Sequence, residues 1–273
     1  MSDSAITLPF DWDPDWYVRR YPDLIEAKAQ GRLGDPLSHY IQYGCHEGRF
    51  PSAAAETQAR SDADARALPL RIDLGGVPVP MDWPIGGEVG KTFVMRLTNG
   101  FFTKYMSGKA ILDIGYRGAN KDAVPILPHA TGVDLDYPGY DGIRLPFADG
   151  SADTVFASHV LEHVSDAQLA LRDWFRVIRT GGFIVCIVPH QFLYERRRSL
   201  PSDWSGEHLR FYSPATLLCE VEEALEPNSY RVRHLADNDF GYVYAMSPDH
   251  HPAGCYEIEL VVEKIEPPLW RLR

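Results

Sequence analysis

The sequence predicts an α/β protein: a mostly parallel sheet that ends in an antiparallel hairpin, preceded by a small helical module. Strand-like and helix-like segments alternate from about residue 69 onward, which is the pattern of a sheet with crossover helices. Two late runs, 229–236 and 255–265, contain apolar and polar alternation and are expected to pair as a hairpin. Before residue 52, aromatic residues and two Asp-Pro pairs indicate short helices instead.

The amino-terminal module spans residues 1–51. Its Asp-Pro pairs, at 13–14 and 35–36, are typical of an N-cap followed by proline at the first helical position, and Gly44 is placed to end a helix. The expected small core consists of Tyr17, Tyr21, Leu37, Tyr40, Ile41 and Tyr43. Because so few residues make a marginal core, we expect the module to pack against the main domain or a partner protein.

This module resembles a short helical module found on bacterial glycosyltransferases and other cell-surface glycan proteins. The matching stretches are "WYVRRYPDL", "GDPLSHYIQYG" and "EGRFPS". The resemblance implies docking or packing rather than catalysis, and it suggests a glycan pathway. Residues 52–68 are rich in alanine and charge, which predicts a linker or an exposed helix before a main domain at 69–273.

Strands of the main domain are expected near 110–114, 130–135, 153–158 and 182–189. Helices are expected near 88–106, 165–179 and 213–225. Ligands of an open parallel sheet bind at the carboxyl ends of its strands. Asp113, Asp134, His159 and His190 fall at such ends, so we expect the functional site there.

The main domain resembles class I S-adenosylmethionine-dependent methyltransferases in two long stretches, "LPFADGSADTVFASHVLEHV" at 145–164 and "RVIRTGGFIVCIVPH" at 176–190. The resemblance implies a Rossmann-like sheet of seven strands that ends in the predicted hairpin. It also implies an enzyme that uses S-adenosylmethionine as its cofactor.

The resemblance carries the family's cofactor-binding positions onto Asp113, Gly115, Gly118, Asp134, Leu135, Asp141, Ser158 and His159. It implies that Asp113 and Gly115 lie under the methionine part of the cofactor. Asp134 matches the acid that accepts the ribose hydroxyls, with Leu135 beside the adenine.

The remaining matched positions lie further along the chain. Asp141 stands four residues before the leucine of "LPF", where the family often has an adenine-contacting aspartate. A surface turn in "DYPGYDG" is the alternative explanation for Asp141 and also for Asp134. Ser158 and His159 match the segment that closes over the sulfonium side of the cofactor.

The glycine-rich loop departs from the family's GxGxG pattern, because it reads "GYRGA" at 115–119. In addition, only six residues separate Asp134 from Asp141, where the family commonly has a helix and another strand. One interpretation is a shortened, working site in which Gly118 takes over a turn displaced by Arg117. The other is a relic that no longer binds cofactor.

The stretch "LPSDWSGEHLRFYSPATL" at 200–217 resembles a segment that lies over the acceptor side in bacterial methyltransferases. Methyl transfer to a hydroxyl benefits from a base, and histidine suits that role near neutral pH. We favour His190 and His208, with His159 and His163 as the other candidates. The predicted function is O-methylation of a sugar, a polysaccharide precursor or another small acceptor. The alternative is a non-catalytic scaffold or interaction protein in a cell-surface glycan pathway.

Composition and spacing argue against several kinds of partner and site. A net charge of −11 disfavours nucleic-acid binding by phosphate neutralisation. No apolar run approaches the ~20 residues that span a bilayer, and the amino terminus lacks the features of a secretory signal, so we predict a cytoplasmic protein. The spacing of Asp237, Asp239, His250 and His251 matches no standard metal-ligand pattern, and we predict no metal site.

Overall fold

The computed structural model describes residues 11–65, 71–118 and 122–270. These residues form two compact units. The first contains the described residues up to 65 together with the segment Phe240–Cys255, and the second contains Arg71–Asp239 and the chain from Tyr256 onward. The first unit is therefore built from two separate stretches, one of which lies inside the predicted main domain.

The helices of the first unit are α1 (Pro14–Arg20), α2 (Pro22–Ala29), α3 (Pro36–His39) and α4 (Ala53–Ala65), with a π-helical turn at Tyr40–Gly44. Both predicted caps are present: the carboxylate of Asp13 accepts the Trp16 N–H at 2.8 Å, and Asp35 caps α3 in the same way. Gly44 ends the π turn where a Cβ would lie 2.1 Å from the Tyr17 hydroxyl, so the site requires glycine. Most of the stretch 52–68 is helix α4.

Two small clusters form the core of the first unit. One consists of buried Tyr17, Val18 and Leu24, with Trp12, Trp16, Tyr21, Leu33 and Tyr40 partly buried around them. In the other, Ile41 packs against Val243 and Ala253, which explains why the second stretch of chain belongs to this unit. Tyr43, expected in the core, is instead 50% exposed, and its ring lies 5.5 Å from that of His39.

The second unit contains a two-stranded hairpin, a six-stranded sheet and the helices that are described below. Its strands are β1 (Arg71–Leu74), β2 (Val77–Pro80), β3 (Ile111–Ile114), β4 (Thr131–Val133), β5 (Ala152–Ser158), β6 (Ile178–Pro189), β7 (Tyr230–Asn238) and β8 (Glu257–Lys264). The sheet order is β4-β3-β5-β6-β8-β7; the first four strands are parallel, and β8 is antiparallel to both β6 and β7. The predicted mostly parallel sheet with a carboxyl-terminal hairpin is confirmed.

The described sheet has six strands, whereas the resemblance implies seven. Strand β4 forms one edge of the sheet. The six residues between Asp134 and Asp141 are too few for a further helix and a strand that would pair with β4. The crossover from β3 to β4 has no helix among its described residues, and Pro125 and Pro128 disfavour one there. Both shortenings affect the edge of the sheet that carries Asp134.

The helices of the second unit are α5 (Gly87–Gly90), α6 (Phe93–Thr98), α7 (Phe101–Tyr105), α8 (Ala167–Val177), α9 (Gln191–Tyr194) and α10 (Pro214–Ala224). Helices α8 and α10 lie where they were predicted. The single helix expected at 88–106 is divided into three, and Gly100, with a φ of +85°, interrupts it between α6 and α7. The β1–β2 hairpin was not predicted; it turns at Gly75 and Gly76, which have φ values of +62° and +91°.

Apolar clusters cover both faces of the sheet. Val155 and Ala157 of β5 belong to the cluster that includes Trp174 of α8, while Phe156 between them belongs to the cluster that includes Phe102 of α7. In the described portions of the chain, no helix has both the length and the apolar character that crossing a membrane requires.

Candidate active site

A cavity of about 350 Å³ lies at the carboxyl ends of β3, β4 and β5. Its wall includes six of the predicted cofactor residues, namely Gly115, Gly118, Asp134, Leu135, Asp141 and His159. Tyr140, Gly142, Ile143, Val160, His163, Val164 and Ser165 complete it. Asp113 and Ser158, also predicted, are not part of the wall. The cavity thus occupies the edge of the sheet where a ligand was expected.

Gly115 and Gly118 both have left-handed backbone. Gly115 has a φ of +67°, and a Cβ there would lie 2.6 Å from Cγ2 of Val160. Gly118 has a φ of +50°, and no atom lies within 4 Å of its Cβ position. Other residues rarely adopt this backbone, so the loop presents main chain rather than side chains to the cavity at these two positions.

Arg117 stands at a glycine position of the GxGxG pattern and Tyr116 directly precedes it, and neither residue is part of the cavity wall. The Tyr116 ring lies over Gly132 of β4, where a Cβ would be 2.5 Å from the ring. The Arg117 guanidinium donates to the Tyr116 hydroxyl at 2.6 Å and pairs with Asp136 at 2.5 Å. These contacts hold both side chains out of the space that the glycines leave. Ala119, the last residue of the altered pattern, lies outside the described residues.

Asp113 organises the loop beyond the glycines. It is only 3% exposed, and its carboxyl group accepts the Ile126 N–H at 2.6 Å. Burial raises the pKa of Asp113 to about 8; the Ile126 N–H opposes this shift, and the charge of Asp134 adds to it. The carboxyl group is therefore largely protonated at neutral pH.

Asp134 accepts two backbone N–H groups, from Arg117 at 3.1 Å and from Leu135 at 2.7 Å. Its carboxylate oxygens retain lone pairs that can accept further hydrogen bonds. Leu135 is 74% exposed and adds apolar surface to the cavity wall beside this carboxylate. An apolar surface next to an acid suits a nucleoside, whose base is flat and whose sugar carries hydroxyls.

Asp141 combines the two explanations that its sequence context left open. Its Oδ1 atom accepts the N–H groups of Ile143 at 2.9 Å and Arg144 at 2.6 Å, which lower the pKa of Asp141. The residue therefore stabilises a surface turn. It also lines the cavity, so the turn and the predicted binding position coincide.

Acidic and imidazole groups gather after β5 in a group that we name the histidine cluster: His159, Glu162, His163 and His208. His159 has a left-handed φ of +55° and contacts two carboxylates, Glu257 at 3.3 Å and Glu162 at 3.7 Å. Burial lowers the pKa of His159, but these carboxylates outweigh it and the pKa is raised overall.

Glu162 is 1% exposed, and neither of its carboxylate oxygens accepts a hydrogen bond from any residue that the structure describes. Burial raises the pKa of Glu162. Nε2 of His163 lies 3.9 Å from Oε1 of Glu162, while Nδ1 of the same ring donates to the Glu207 carbonyl at 3.1 Å. His163 also lines the cavity, so the cluster borders the predicted cofactor site.

His208, a predicted base, belongs to the 200–217 segment. Its ring stacks on Tyr194 with centroids 5.3 Å apart and lies edge-on to His163 at 4.8 Å. Nδ1 of His208 is 3.5 Å from Oε1 of Glu195. Burial and the neighbouring His163 lower the pKa of His208 to about 4, so the ring is neutral at pH 7 and weakly basic.

His190, the other predicted base, ends β6 and caps α9. Its Nδ1 atom accepts the Phe192 N–H at 3.1 Å, and Nε2 lies 3.6 Å from Asp237. It is buried and is not part of the cavity wall. The structure therefore places this side chain as a helix cap, and its role as a base stays a prediction.

A buried ion network adjoins His159. Arg96, with no exposed surface, donates to Glu257 at 2.6 Å and to Glu259 at 2.9 Å, and Asn238 donates to both carboxylates. Burial opposes ionisation of Glu257, but Arg96 and His159 outweigh it and lower its pKa to about 2. The network fixes the ionised carboxylate that contacts His159.

The sequence interpretation did not single out Glu162, Glu195 or Arg96. The signal available was weak: a glutamate directly precedes a histidine in both "LEHV" and "GEHL", 45 positions apart. A charged residue inside the apolar run "HVLEHV" is a further sign, because buried carboxylates are rare unless they are paired.

Residues 99–186, about a third of the chain, match a protein-family model described as "Methyltransferase domain". This match includes the strands and loops that form the cavity. It supports the predicted methyltransferase-type domain, while the histidine cluster is completed by His208 outside the matched residues.

Curated relatives match over shorter stretches. A demethylmenaquinone methyltransferase from Streptomyces griseus subsp. griseus is 36% identical over 72 residues, which are 26% of this chain and 28% of the relative. A ubiquinone/menaquinone biosynthesis C-methyltransferase from Hahella chejuensis is 33% identical over 82 residues, covering 30% of this chain and 33% of the relative. The chain thus spans about a third or less of the length of these relatives.

Solved structures show a weaker likeness. A SAM dependent methyltransferase from Aquifex aeolicus gives a TM-score of 0.42 at 13% identity, covering 68% of this chain and 97% of that one. An S-adenosylmethionine dependent methyltransferase from Mesorhizobium loti gives 0.39 at 13% identity, covering 67% and 100%. Both scores are too low to establish a shared fold, so the fold rests on the strand order.

Proposed function

We propose that this protein is an S-adenosylmethionine-dependent methyltransferase. The observation that carries the proposal is the cavity at the carboxyl ends of β3, β4 and β5, inside the stretch that matches a methyltransferase domain. Gly115 and Gly118 present main chain to the cavity, the space at the Cβ position of Gly118 is open, and the Arg117 side chain is paired with Asp136 outside the cavity wall. The residues present therefore fit the cofactor.

Four residues would hold the cofactor. Asp134 would accept its ribose hydroxyls, Leu135 would cover its adenine, and the main chain at Gly115 and Gly118 would follow its methionine part. When bound, S-adenosylmethionine supplies a methyl group on a positively charged sulfur. The chain's part is to align the acceptor atom with that methyl group and to exclude water, and such positioning contributes much of the rate in two-substrate reactions.

The acceptor atom that we propose is a hydroxyl oxygen of a sugar, a polysaccharide precursor or another small polar molecule. Support comes from the polar wall beside β5, where His159 and His163 border the cavity. The glycan context is supported only by the resemblance of the first fifty residues to a module of glycan proteins. Transfer would form a bond between the acceptor oxygen and the methyl carbon, break the carbon–sulfur bond with its electron pair left on sulfur, and release the hydroxyl proton to solvent.

A ring carbon of a quinone is the second candidate acceptor. It is favoured by the names of the curated relatives, which act on demethylmenaquinone or belong to quinone biosynthesis. Their matched stretches cover a third or less of each relative, so most of each relative lies outside the similarity.

Calorimetric titration with S-adenosylhomocysteine tests cofactor binding. We expect saturable binding that Asp134→Ala weakens roughly tenfold or more, because a charged hydrogen-bond acceptor is lost. Asp82→Ala is the matched control, since Asp82 is an exposed aspartate outside the cavity wall. Absence of binding at millimolar ligand overturns the enzyme proposal and favours the scaffold alternative.

Transfer of a deuterated methyl group, followed by mass spectrometry, distinguishes the acceptors. Sugar nucleotides and a demethylated naphthoquinone serve as probes. A labelled ether on a sugar hydroxyl supports the first candidate, whereas label on the quinone ring carbon replaces it with the second.

A further inference from the structure

We propose that Glu162, His163 and His208 bind one divalent transition-metal ion at the edge of the cavity. One potential ligand atom from each of these residues lies within 4.8 Å of the other two. Two imidazoles and one carboxylate suit first-row ions such as Zn²⁺, Co²⁺ and Mn²⁺, and they leave coordination positions open for an exogenous oxygen. An ion would bind at about 2.0–2.2 Å from each of these atoms, so binding would draw the three side chains inward.

The first argument is the state of Glu162. Its side chain is 1% exposed, and both of its oxygens lack a hydrogen-bond donor among the described residues. The imidazole nitrogens that face Oε1, from His159 at 3.7 Å and His163 at 3.9 Å, are too far away for hydrogen bonds. A buried carboxylate that accepts no hydrogen bond is costly, and a bound cation would reduce that cost.

The second argument is the orientation of His163. Its Nδ1–H donates to the Glu207 carbonyl at 3.1 Å, which fixes the tautomer in which Nε2 carries the lone pair. That Nε2 atom is the one that faces Glu162. Histidines that bind metals are commonly held by a hydrogen bond from the other ring nitrogen to a backbone carbonyl or a carboxylate.

A carboxylate, that of Glu195, also lies beside the ring of His208, at ion-pair rather than hydrogen-bond distance. Nδ1 of this ring lies 3.5 Å from Oε1 of Glu195, and Oε2 of Glu195 accepts the Ser202 N–H at 2.8 Å and the Ser205 hydroxyl at 2.7 Å. Glu195 is thus fixed in place and leaves Nε2 of His208 available as a ligand. A carboxylate, a histidine and a metal in this order are a common arrangement in metalloproteins.

The position of the site indicates its role. His163 belongs both to the proposed ligand set and to the wall of the cavity, so an ion there borders the space for the acceptor. Such an ion would bind the acceptor hydroxyl, lower its pKa and release its proton to solvent before the oxygen attacks the methyl carbon. This role rests on the proposed function, whereas metal binding itself does not.

The test uses the untagged full chain after removal of metals with a chelator. Co²⁺ is titrated in and followed by its visible absorption, which reports nitrogen and oxygen coordination. We expect saturation at one equivalent, with the affinity reduced at least tenfold in Glu162→Gln and in His208→Gln. His250→Gln controls for general histidine binding, since His250 is exposed on the segment Phe240–Cys255 of the first unit.

If Glu162→Gln or His208→Gln does not fold, as judged by circular dichroism, Glu195→Gln replaces it in the titration. It should weaken Co²⁺ about tenfold or more, as loss of an outer-shell partner does. No Co²⁺ absorption in the folded wild type, or absorption equal in Glu162→Gln and His208→Gln, overturns the metal site. A parallel titration with S-adenosylhomocysteine separates this outcome from failure of the proposed function: binding of that ligand without Co²⁺ rejects only the metal site, and Co²⁺ binding without that ligand rejects only the cofactor.

Discussion

The acids on the two sides of the cavity differ in what they bind. On the side of β3 and β4, Asp113, Asp134 and Asp141 each accept backbone N–H groups of the loops that surround them. On the side of β5, Glu162 is more deeply buried than Asp134 or Asp141 and accepts none from the described residues. Acids at the predicted cofactor positions therefore hold the loops in shape, whereas both oxygens of Glu162 lack a hydrogen-bond donor among the described residues.

This difference separates two kinds of effect. Under the proposed function, substitutions of Asp134 or Asp141 should change loop stability and cofactor affinity together, because both carboxylates accept loop N–H groups and both residues line the cavity. On the β5 side, stability should depend on whether buried charges stay paired. Three predictions test this distinction.

The largest expected effect is that of Arg96→Met. This change leaves Glu257 and Glu259 buried without their cation, and we expect it to reduce the free energy of unfolding by about 3–5 kcal/mol. Urea unfolding measures it. Arg233→Met is the control: the pair it forms with Glu263 is exposed, so its loss should cost roughly 0–1 kcal/mol. Equal losses of unfolding free energy in the two variants would contradict the larger contribution expected of the buried ion pairs of Arg96.

Asp113→Asn should change how stability depends on pH. Folding raises the pKa of Asp113 to about 8, so its contribution is fully present below the pKa of an unfolded aspartate and is lost as pH rises toward 8. Between pH 5.5 and 7.5 the wild type should lose roughly 2–3 kcal/mol relative to the variant, since each unit costs about 1.4 kcal/mol. The asparagine oxygen can still accept the Ile126 N–H.

Urea midpoints of both proteins at the two pH values give this difference. Parallel pH profiles of the unfolding free energy would show that Asp113 is ionised in the folded protein. The carboxylate of Asp113 would then be a buried charge, like that of Glu257.

The smallest expected effect concerns the glycine loop. Gly115→Ala should lower stability by about 1–3 kcal/mol, because the new Cβ meets Val160 and the backbone is left-handed. Gly118→Ala should cost only about 1 kcal/mol, because backbone strain acts there without a clash. Thermal unfolding ranks the two variants. A larger loss in Gly118→Ala contradicts the contacts described for the loop.

Local patterns were sufficient for much of the fold. Apolar runs and alternation located the strands β3 to β8, and Asp13, Asp35 and Ser213 marked helix starts that the structure confirms as caps. The division of the 88–106 helix at Gly100 and the hairpin at Gly75 and Gly76 were missed, although glycine is the local signal in both. Seven strands were expected, whereas the described sheet has six, although the short segment between Asp134 and Asp141 already disfavoured a further helix and strand.

The site was only partly accessible from the sequence. Family resemblance located Gly115, Asp134 and His159 in what proved to be the cavity wall. Glu162 and His208 are 46 positions apart and come together only through the fold, so neither periodicity nor spacing pairs them. The hydrogen bonds that already occupy a motif acid are equally invisible in a sequence, because they depend on loop conformation.

The contact of Ile41 with Val243 and Ala253 affects how the protein can be divided for experiments or recombined with others. Removal of the first seventy residues would remove Ile41 from this cluster and leave Val243, Ala253 and Met246, between β7 and β8, without it. A chimera that joins chains end to end would transfer only the first of the two stretches that make up the first unit. Exchange of the first unit therefore requires both stretches to be transplanted together, because neither stretch contains the whole unit.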